Sequence, residues 1–559
     1  MACVKHNKNE APKTLTTSER IKTLNPVSNI KDNMRLLYPA RVVALGLGAA
    51  QVVATVLVYM SNRALAAKIA AIRAAGFGPL PGVDIAPPLK SVQAAFAGGA
   101  FFTLSTGAGI VVLTFVAVVL VLPLPGLYRV VRSRMLKPGF RFLGLAVLLT
   151  AGAAAVSPVA GWLVLLILAN MHGFCPGLTA FLLLVPPVVI LAAVKWSPQR
   201  AGYKRLPWRN PFHFVLIALL LAFWTSYVNR DVFVNFKDNL LLTSRPGTAI
   251  VRFYYRYTLY PAEVFKTLSD KQLKTCVLAG NPDPDTAGRL ERALQKHDYF
   301  VIPAAGPPAD LRLVYQGDRL ILGQEHKPVL IVGRDRFLDE TGEILEQFSG
   351  ETDHNAVFRR FTIVSLLGMS PLVLYLASYA FFCLLPGALI NIRTASFLAP
   401  VLCFIFWTGT ITAMDIPNPA EMNRDRAAAA IRAGTRKERI AALRYIHDKR
   451  LDISGFKGYR KLASDTDFAQ RYWLINSLGN SRDPAVTGML YPFLESTSAY
   501  IVCKTLAAVA DRGRAGDAGS RQRNLNLILE KMRATDNWYV QFYAYKAARS
   551  MGWMPKRSG

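Results

Sequence analysis

The sequence predicts a mainly α-helical, polytopic membrane protein with about seven transmembrane helices, a small α/β extramembrane domain and a C-terminal α-solenoid. Three observations predict this fold class. The 559-residue chain combines a positive mean hydropathy with a net charge of +30, as expected where apolar spans alternate with basic segments. Its middle part changes to the short apolar runs of an α/β module. Its C-terminal part changes again, to charged helices with apolar residues at helical spacing.

Apolar stretches long enough to cross about 30 Å of hydrocarbon predict the transmembrane helices. They lie at about 37–60, 98–122, 141–171, 174–194, 212–229, 360–385 and 394–414. The third stretch contains Ser157-Pro158, and we interpret it as one kinked helix. The predicted units are a basic N-terminal segment (1–36), transmembrane helices 1–5 (37–229), an α/β domain (230–358), transmembrane helices 6–7 (359–414) and a helical domain (415–559).

Basic residues in the short loops predict the orientation of the spans. The loops at 127–141 and 195–209 each carry five basic residues and no acidic residue, so we expect both to be cytoplasmic. With seven crossings, the N-terminus is then cytoplasmic, and the α/β and C-terminal domains are extracytoplasmic, in a bacterial inner membrane or a plasma membrane. Two observations oppose this topology. Arg359-Arg360 would flank a span on its outer side, and residues 415–559 hold 25 basic and only 14 acidic residues.

The region 230–358 has the pattern of a small α/β module. The run TCVLAG predicts a strand, and the helix in DPDTAGRLERALQKHDY is expected to bury Leu290 and Leu294 and to be capped by Asp285 or Thr286. The runs FVIP, LRLVY, RLILG and PVLIVG predict further strands, with a hairpin turn at Gln316-Gly317-Asp318. Nothing in the module resembles a nucleophile constellation, so its expected role is packing.

Residues 251–266, VRFYYRYTLYPAEVFK, combine six aromatic rings with two arginines. Aromatic rings with polar tips favour the headgroup level of a bilayer, and arginines can reach lipid phosphates from there. We therefore expect an interfacial segment that seats the outer module on the membrane, with Arg252 and Arg256 in contact with anionic lipid headgroups. In the alternative interpretation, the rings pack inside the outer module and the arginines pair with its acids.

The region 415–559 is predicted to form helices near 420–433, 436–449, 467–479, 484–496, 498–511, 521–534 and 537–551. The runs AQRYWLINSLGNSRDPAV, AYIVCKTLAAVADRG and WYVQFYAYKAARSMG resemble the first helices of HEAT or armadillo-type repeats, and Asp483-Pro484-Ala485-Val486 is similar to the start of a second helix. The resemblance implies an α-solenoid that offers an extended surface to a protein partner. An unrelated helical bundle is the alternative. No family is identified for the membrane part.

Few residues indicate chemistry. Asp84, in the first extramembrane loop, is a candidate acid for an enzyme that uses a lipid-linked substrate, although a lone aspartate in a Pro/Gly loop is usually a turn residue. The histidines and cysteines lack the spacing of a metal site, so we expect no metal or other cofactor. The spans hold almost no ionisable groups, which disfavours an ion-coupled transporter. Nucleic acid is disfavoured as a partner, because the basic C-terminal helices are expected outside the cytoplasm.

Two functions follow from these expectations. The first, and favoured, is a non-enzymatic membrane scaffold or assembly protein that contacts membrane lipid and presents a HEAT-like domain to a partner protein. The second is a membrane enzyme or transporter that acts on a lipid-linked or anionic substrate at the outer interface. Convergent carboxylates around Asp84 or Asp231 would favour the second function, and a closed apolar bundle would favour the first.

Overall fold

The computed structural model is mainly helical. The described residues are 37–81, 91–121, 161–171, 173–196, 211–229, 231–257, 263–324, 327–387, 392–413, 421–465 and 467–557. Within them, the chain forms a bundle of apolar helices, a small sheet and a C-terminal bundle of helices.

The N-terminal half of the apolar bundle contains six helices and one short strand among the described residues. In chain order these are α1 (Tyr38–Ala74), β1 (Phe77–Gly78), α2 (Val92–Phe102), α3 (Ala108–Val121), α4 (Gly161–Asn170), α5 (Pro176–Lys195) and α6 (Pro211–Tyr227). A π-helical turn at Thr103–Gly107 joins α2 and α3 into one continuous helix.

Two further helices follow α6. The first, α7 (Val232–Phe236), is continued by a π-helical turn at Lys237–Leu241, and this unit is bent by 104° from α6. The second, α8 (Arg245–Tyr257), begins before the aromatic run. Its start is explained locally, because Pro246 suits the first helical turn and the Ser244 hydroxyl accepts the N–H of Gly247 at 3.1 Å.

The α/β module contains β2 (Lys274–Ala279), α9 (Pro284–Lys296), β3 (Tyr299–Val301), β4 (Leu311–Gln316), β5 (Arg319–Gln324), β6 (Lys327–Gly333), α10 (Arg334–Asp339) and α11 (Thr341–Glu351). The strand order is β3-β2-β4-β5-β6, with β2 parallel to both neighbours and the remaining pairs antiparallel. The predicted strands and the turn between Gln316 and Arg319 are confirmed. Leu290 and Leu294 are fully buried, as expected.

One detail of this module differs from the prediction. The cap of α9 is Asp283, whose carboxylate accepts the N–H of Thr286 at 3.0 Å. Pro284 occupies the first helical position, which moves the cap upstream of the two expected residues, Asp285 and Thr286.

The apolar bundle resumes after the α/β module. It contains α12 (Ala356–Val364), a π-helical turn at Ser365–Met369, α13 (Ser370–Gly387) and α14 (Ile392–Ala413). Among the described residues, four helical rods are long and apolar enough to cross a bilayer, and the bent unit of α6 and α7 gives up to five. These rods are Tyr38–Ala74, Val92–Val119, Pro176–Lys195 and Ala356–Cys383. The number of seven spans stays a prediction.

Small residues let the helices of this bundle approach closely. A Cβ atom added to Gly46 would lie 2.8 Å from Val189 and 2.9 Å from Val111. Further along α1, Ala50 and Ala54 are fully buried against the continuous helix of α2 and α3. Close backbone approach of this kind replaces the hydrophobic effect as the packing force in lipid.

Contacts at the two ends of the bundle fix the direction of its helices. The hydroxyl of Tyr38, at the start of α1, donates to the carbonyl of Ala193 at the end of α5, at 2.9 Å. At the other end, the thiol of Cys175 lies 3.7 Å from Asn355, which precedes α12. Helix α5 therefore runs antiparallel to α1 and begins on the side of the bundle where the α/β module lies. We call this the domain side.

Helix α1 reaches far beyond the bundle on the domain side. Its 37 residues span about 55 Å, whereas the hydrocarbon core is about 30 Å thick. Its last turns leave the bundle, where Lys68 pairs with Asp310 of the α/β module, and Ile69 and Ile72 are buried in the same core as the C-terminal helices. Strand β1 then pairs antiparallel with a strand at the C-terminus, Phe77 opposite Arg557.

The C-terminal domain consists of helices in two layers. Its elements are α15 (Arg424–Ala433), α16 (Arg436–Asp448), α17 (Phe468–Gly479), α18 (Ala485–Leu490), α19 (Ala499–Ala515), α20 (Ala518–Ala534), α21 (Trp538–Ser550) and β7 (Lys556–Arg557). Helices α16, α17, α19 and α21 pack one against the next and form the inner layer. Helices α15, α18 and α20 pack on the other face of that row and form the outer layer.

Candidate functional site

The inner layer of the C-terminal domain packs against the chain segment that follows α6. Arg444 of α16 is 3% exposed, and its guanidinium contacts Asp231 and the Asn235 side chain, both at 2.7 Å. The same guanidinium lies 5.4 Å from the centre of the Trp473 ring. A buried arginine needs such partners, because an unpaired charge is costly away from water. Asp231 is therefore a structural ion-pair partner.

A second buried contact lies one turn further along this segment. Asp238 is fully buried, and one carboxylate oxygen accepts the indole N–H of Trp473 at 2.7 Å. The other oxygen lies 3.4 Å from the ammonium group of Lys237. That ammonium group also donates to the Tyr500 hydroxyl at 2.7 Å and lies 4.4 Å from the centre of the Tyr472 ring. We call these five residues the clamp, because they join the segment after α6 to the inner layer.

The charges of the clamp act on each other. Burial raises the pKa of Tyr500. Burial acts in the same direction on Tyr472, but the ammonium groups of Lys504 and Lys237 outweigh it and lower the pKa of Tyr472. Burial opposes the charge of Lys504, yet the Tyr472 phenol raises the pKa of this lysine. Lys504 therefore stays charged at neutral pH, and Tyr472 is the ring on which the positive charges converge.

Helix α8 presents two different faces. Ile250, Phe253 and Tyr254 lie on one face and are 39–56% exposed, although α8 also contacts the bundle at Phe101. The opposite face packs on the C-terminal domain: Val251 is buried, and the ring of Tyr255 stacks on Tyr500 with centroids 4.5 Å apart. The spacing of three and four residues within each face is that of an amphipathic helix between two environments.

A cavity of about 470 Å³ lies between α8 and the C-terminal domain. Three arginines line it: Arg252 and Arg256 from α8, and Arg471 from α17. Tyr255 and Trp538 supply aromatic walls, and the Trp538 indole donates to the Arg256 carbonyl at 2.6 Å. The cavity volume is typical of a small-molecule site.

The positive charge in this cavity is largely unbalanced. Within the described residues, Arg252, Arg256 and Arg471 take part in none of the ion pairs, and Asp536 is the acidic residue that lines the cavity. A shallower groove next to it is lined by Arg245 and again by Arg252. The acid of that groove, Asp467, is already paired with Arg436 at 2.7 Å.

The start of α19 also faces the cavity. Ser496, Thr497 and Ser498 line its wall, and Ser498 occupies the N-cap position without capping the helix through its side chain. The first N–H groups of a helix carry partial positive charge and favour an anion. By contrast, Asn537 caps α21 and accepts the N–H groups of Tyr539 and Val540.

The structure brings together some of the residues singled out in the sequence. Arg252 and Arg256 line the same cavity, and their contact with lipid stays a prediction. Asp84 lies outside the described residues. Asp231 pairs with Arg444, and no convergent carboxylates surround it in the described chain. Sequence reasoning missed Arg471, which the fold brings to Arg252 from a segment more than two hundred positions away.

The described residues contain no cluster of three or more histidine, cysteine, aspartate or glutamate side chains that could hold a metal ion. Comparisons of the chain with protein-family models, with curated proteins and with solved structures found no match.

Proposed function

We propose that this chain is an integral membrane assembly protein whose C-terminal helical domain, with a HEAT-like α-solenoid fold, binds a partner protein through its outer layer. The observation that carries this proposal is that the two layers of this domain have different surroundings. The inner layer is covered by the chain's own segment 231–257 and by the α/β module, where Arg549 donates to the Asp298 carboxylate at 2.7 Å. The outer layer is therefore the surface of this domain that we expect a partner protein to contact.

The outer layer is also strongly charged. Helix α15 carries three basic residues and one acidic residue, and α20 carries four and one. Several of these arginines are exposed, including Arg426, Arg432 and Arg523. A complementary partner surface is therefore acidic, because opposite potentials steer association and like charges oppose it.

Photo-crosslinking in native membranes tests this proposal. A photoreactive amino acid at Arg426 or Arg523 is expected to give an adduct with the same acidic protein. The same amino acid at Arg292, an exposed residue of the α/β module, is the control and is expected to give no such adduct. Equal adducts from all three positions, or adducts from the control alone, would contradict the proposal.

The proposal includes seven spans, with both extramembrane domains on one side and the N-terminus on the other. The helix directions support this count. Helix α3 runs antiparallel to α1 and ends away from the domain side, whereas α5 begins on the domain side, which is consistent with one further crossing in the proposed topology. Helix α14 returns to the domain side, where the carbonyl of Ala413 accepts a hydrogen bond from Lys437 at 3.2 Å.

Labelling with an impermeant maleimide tests the span count. In a chain without its native cysteines, Gly126→Cys and Ser197→Cys are expected to be accessible from the same side of the membrane. Arg523→Cys is expected to be accessible from the other side. Opposite accessibility of the first two positions would remove the crossing between Val121 and Cys175 and with it the seven-span topology.

A membrane enzyme or transporter acting on a lipid-linked or anionic substrate is the second candidate. The cavity with Arg252, Arg256 and Arg471 favours it, because the cavity is suited to an anion. The described lining offers only one carboxylate, Asp536, for acid–base chemistry. The geometry therefore supports binding at this cavity more directly than catalysis.

A further inference from the structure

We propose that the cavity between α8 and the C-terminal domain binds a phosphate group that carries an organic substituent. Arg252, Arg256 and Arg471 provide the charge, the α19 N-terminus provides N–H donors, and Tyr255 and Trp538 face the organic part. This inference is independent of the partner protein that we propose for the outer layer.

The arginines are the first argument. Arg252 and Arg256 lie one turn apart on α8, and α17 brings Arg471 to the same cavity, although like charges repel. Arg252 and Arg256 are exposed, whereas Arg471 is half-buried and its Nε donates to the carbonyl of Asp465. This bond orients one edge of the Arg471 guanidinium and leaves its remaining N–H groups for a ligand. Guanidinium groups match the oxygen atoms of phosphate in geometry as well as in charge.

The rest of the lining distinguishes a phosphate ester from a simple inorganic ion. The hydroxyl-bearing residues Ser496, Thr497 and Ser498 lie at the N-terminus of a 17-residue helix. Hydroxyls and helix N–H groups bind phosphate oxygens at many nucleotide and phosphate sites. A volume of about 470 Å³ exceeds what one phosphate fills, and aromatic rings line the remainder. The expected ligand is therefore larger than phosphate itself.

Two sources can supply this chemistry. The cavity adjoins α8, whose other face exposes Ile250, Phe253 and Tyr254 beside the end of a candidate span. A phospholipid headgroup is one source, and a soluble phosphate ester is the other. Both present the same group to the arginines, and an experiment with two arms separates them.

The experiment uses the full-length chain in detergent. The first arm measures the binding of glycerol 1-phosphate by isothermal titration calorimetry. The second arm measures, by native mass spectrometry, how much phosphatidylglycerol and phosphatidylcholine the protein retains. Each arm compares the native chain with Arg252→Gln, with Arg471→Gln, and with Arg523→Gln as a control on the outer layer. Thermal unfolding checks that each variant is folded.

Each cavity substitution is expected to weaken binding about tenfold, because it removes a charge-assisted hydrogen bond. The control is expected to bind as the native chain does, and added salt is expected to weaken binding in every case. Preferential retention of phosphatidylglycerol, lost in the cavity variants, supports a lipid headgroup. Binding of glycerol 1-phosphate without lipid preference supports a soluble ester.

Two results would overturn the inference. One is the absence of binding to both probes. The other is binding that is equal in the cavity variants and the control. If Arg471→Gln fails to fold, Arg252→Gln decides the outcome, because the Arg252 side chain is exposed and makes no hydrogen bond or ion pair with the described residues. Neither result bears on the outer-layer crosslinks, so this inference and the proposed function can fail separately.

Discussion

Replacing Asp238 by alanine is expected to release the segment after α6 from the C-terminal domain. The change removes the fully buried carboxylate that accepts the Trp473 indole N–H and lies 3.4 Å from the Lys237 ammonium group. At this separation, the attraction of two charges amounts to about 5 kcal/mol at an effective dielectric constant of about 20. Part of it is offset by desolvation. Breaking a buried pair by removing one partner costs about 3–5 kcal/mol.

Amide hydrogen exchange in the full-length protein measures this loss locally. If the clamp opens without global unfolding, a cost of about 3 kcal/mol increases the exchange rate of residues 231–241 by at least about a hundredfold. The matched control is Asp511→Ala, which removes the exposed partner of Arg514 and is expected to cost less than about 1 kcal/mol. Unchanged exchange of residues 231–241 in a folded Asp238→Ala variant would refute the assignment of the clamp.

Three further changes test the core, the buried charge and the bundle. Leu478 is fully buried in α17, so in thermal melting of the full chain Leu478→Asp is expected to abolish cooperative unfolding of the C-terminal domain. The control Asn526→Asp changes an exposed residue and is expected to melt as the native chain does. Equal melting curves of the two variants would contradict this prediction. Burial lowers the pKa of Lys274 from 10.5 to about 8, and the unfolded chain therefore binds more protons than the native chain between these values. The contribution of Lys274 to the free energy of unfolding is therefore lowest below pH 8 and rises up to pH 10.5. Chemical denaturation is expected to show that the free energy of unfolding of Lys274→Met, relative to that of the native chain, falls by about 3 kcal/mol across this window. A difference that is independent of pH would contradict this expectation. In the bundle, Gly46→Ala is expected to destabilise the detergent-solubilised protein by about 1–3 kcal/mol, because the added methyl group overpacks against Val111 and Val189. The control Gly48→Ala places its methyl group in open space and is expected to leave the free energy of unfolding unchanged. Equal effects of the two substitutions would contradict this prediction.

Local elements of this fold could be predicted from the sequence because their signals are local. The strand TCVLAG corresponds to Lys274–Ala279, and the helix expected at 436–449 corresponds to Arg436–Asp448. Thr435 and Glu438 explain the accuracy of that second start, since they form a capping box. Periodicity and capping depend on neighbouring residues, which a single sequence displays.

The cavity and the clamp could be predicted only in part, because they depend on contacts between distant residues. The aromatic run drew attention to Arg252 and Arg256, but nothing near them in the sequence indicates Arg471. Similarly, Asp238 lies in an unremarkable stretch, and its partner Trp473 is 235 positions away. Such pairs arise from the docking of two finished elements, whose relative position no local pattern specifies.

The aromatic run illustrates why the two interpretations of residues 251–266 were both reasonable. A helix with rings on several faces can serve two partners at once, because successive residues point in different directions. The ring of Tyr255 packs on Tyr500 in the C-terminal domain and not inside the α/β module, whereas Phe253 and Tyr254 are exposed on another face. The arginines pair with no acid among the described residues and line a cavity. The exposed rings are therefore the part of the run that is predicted to contact lipid, and the packed ring is the part that joins α8 to the C-terminal domain.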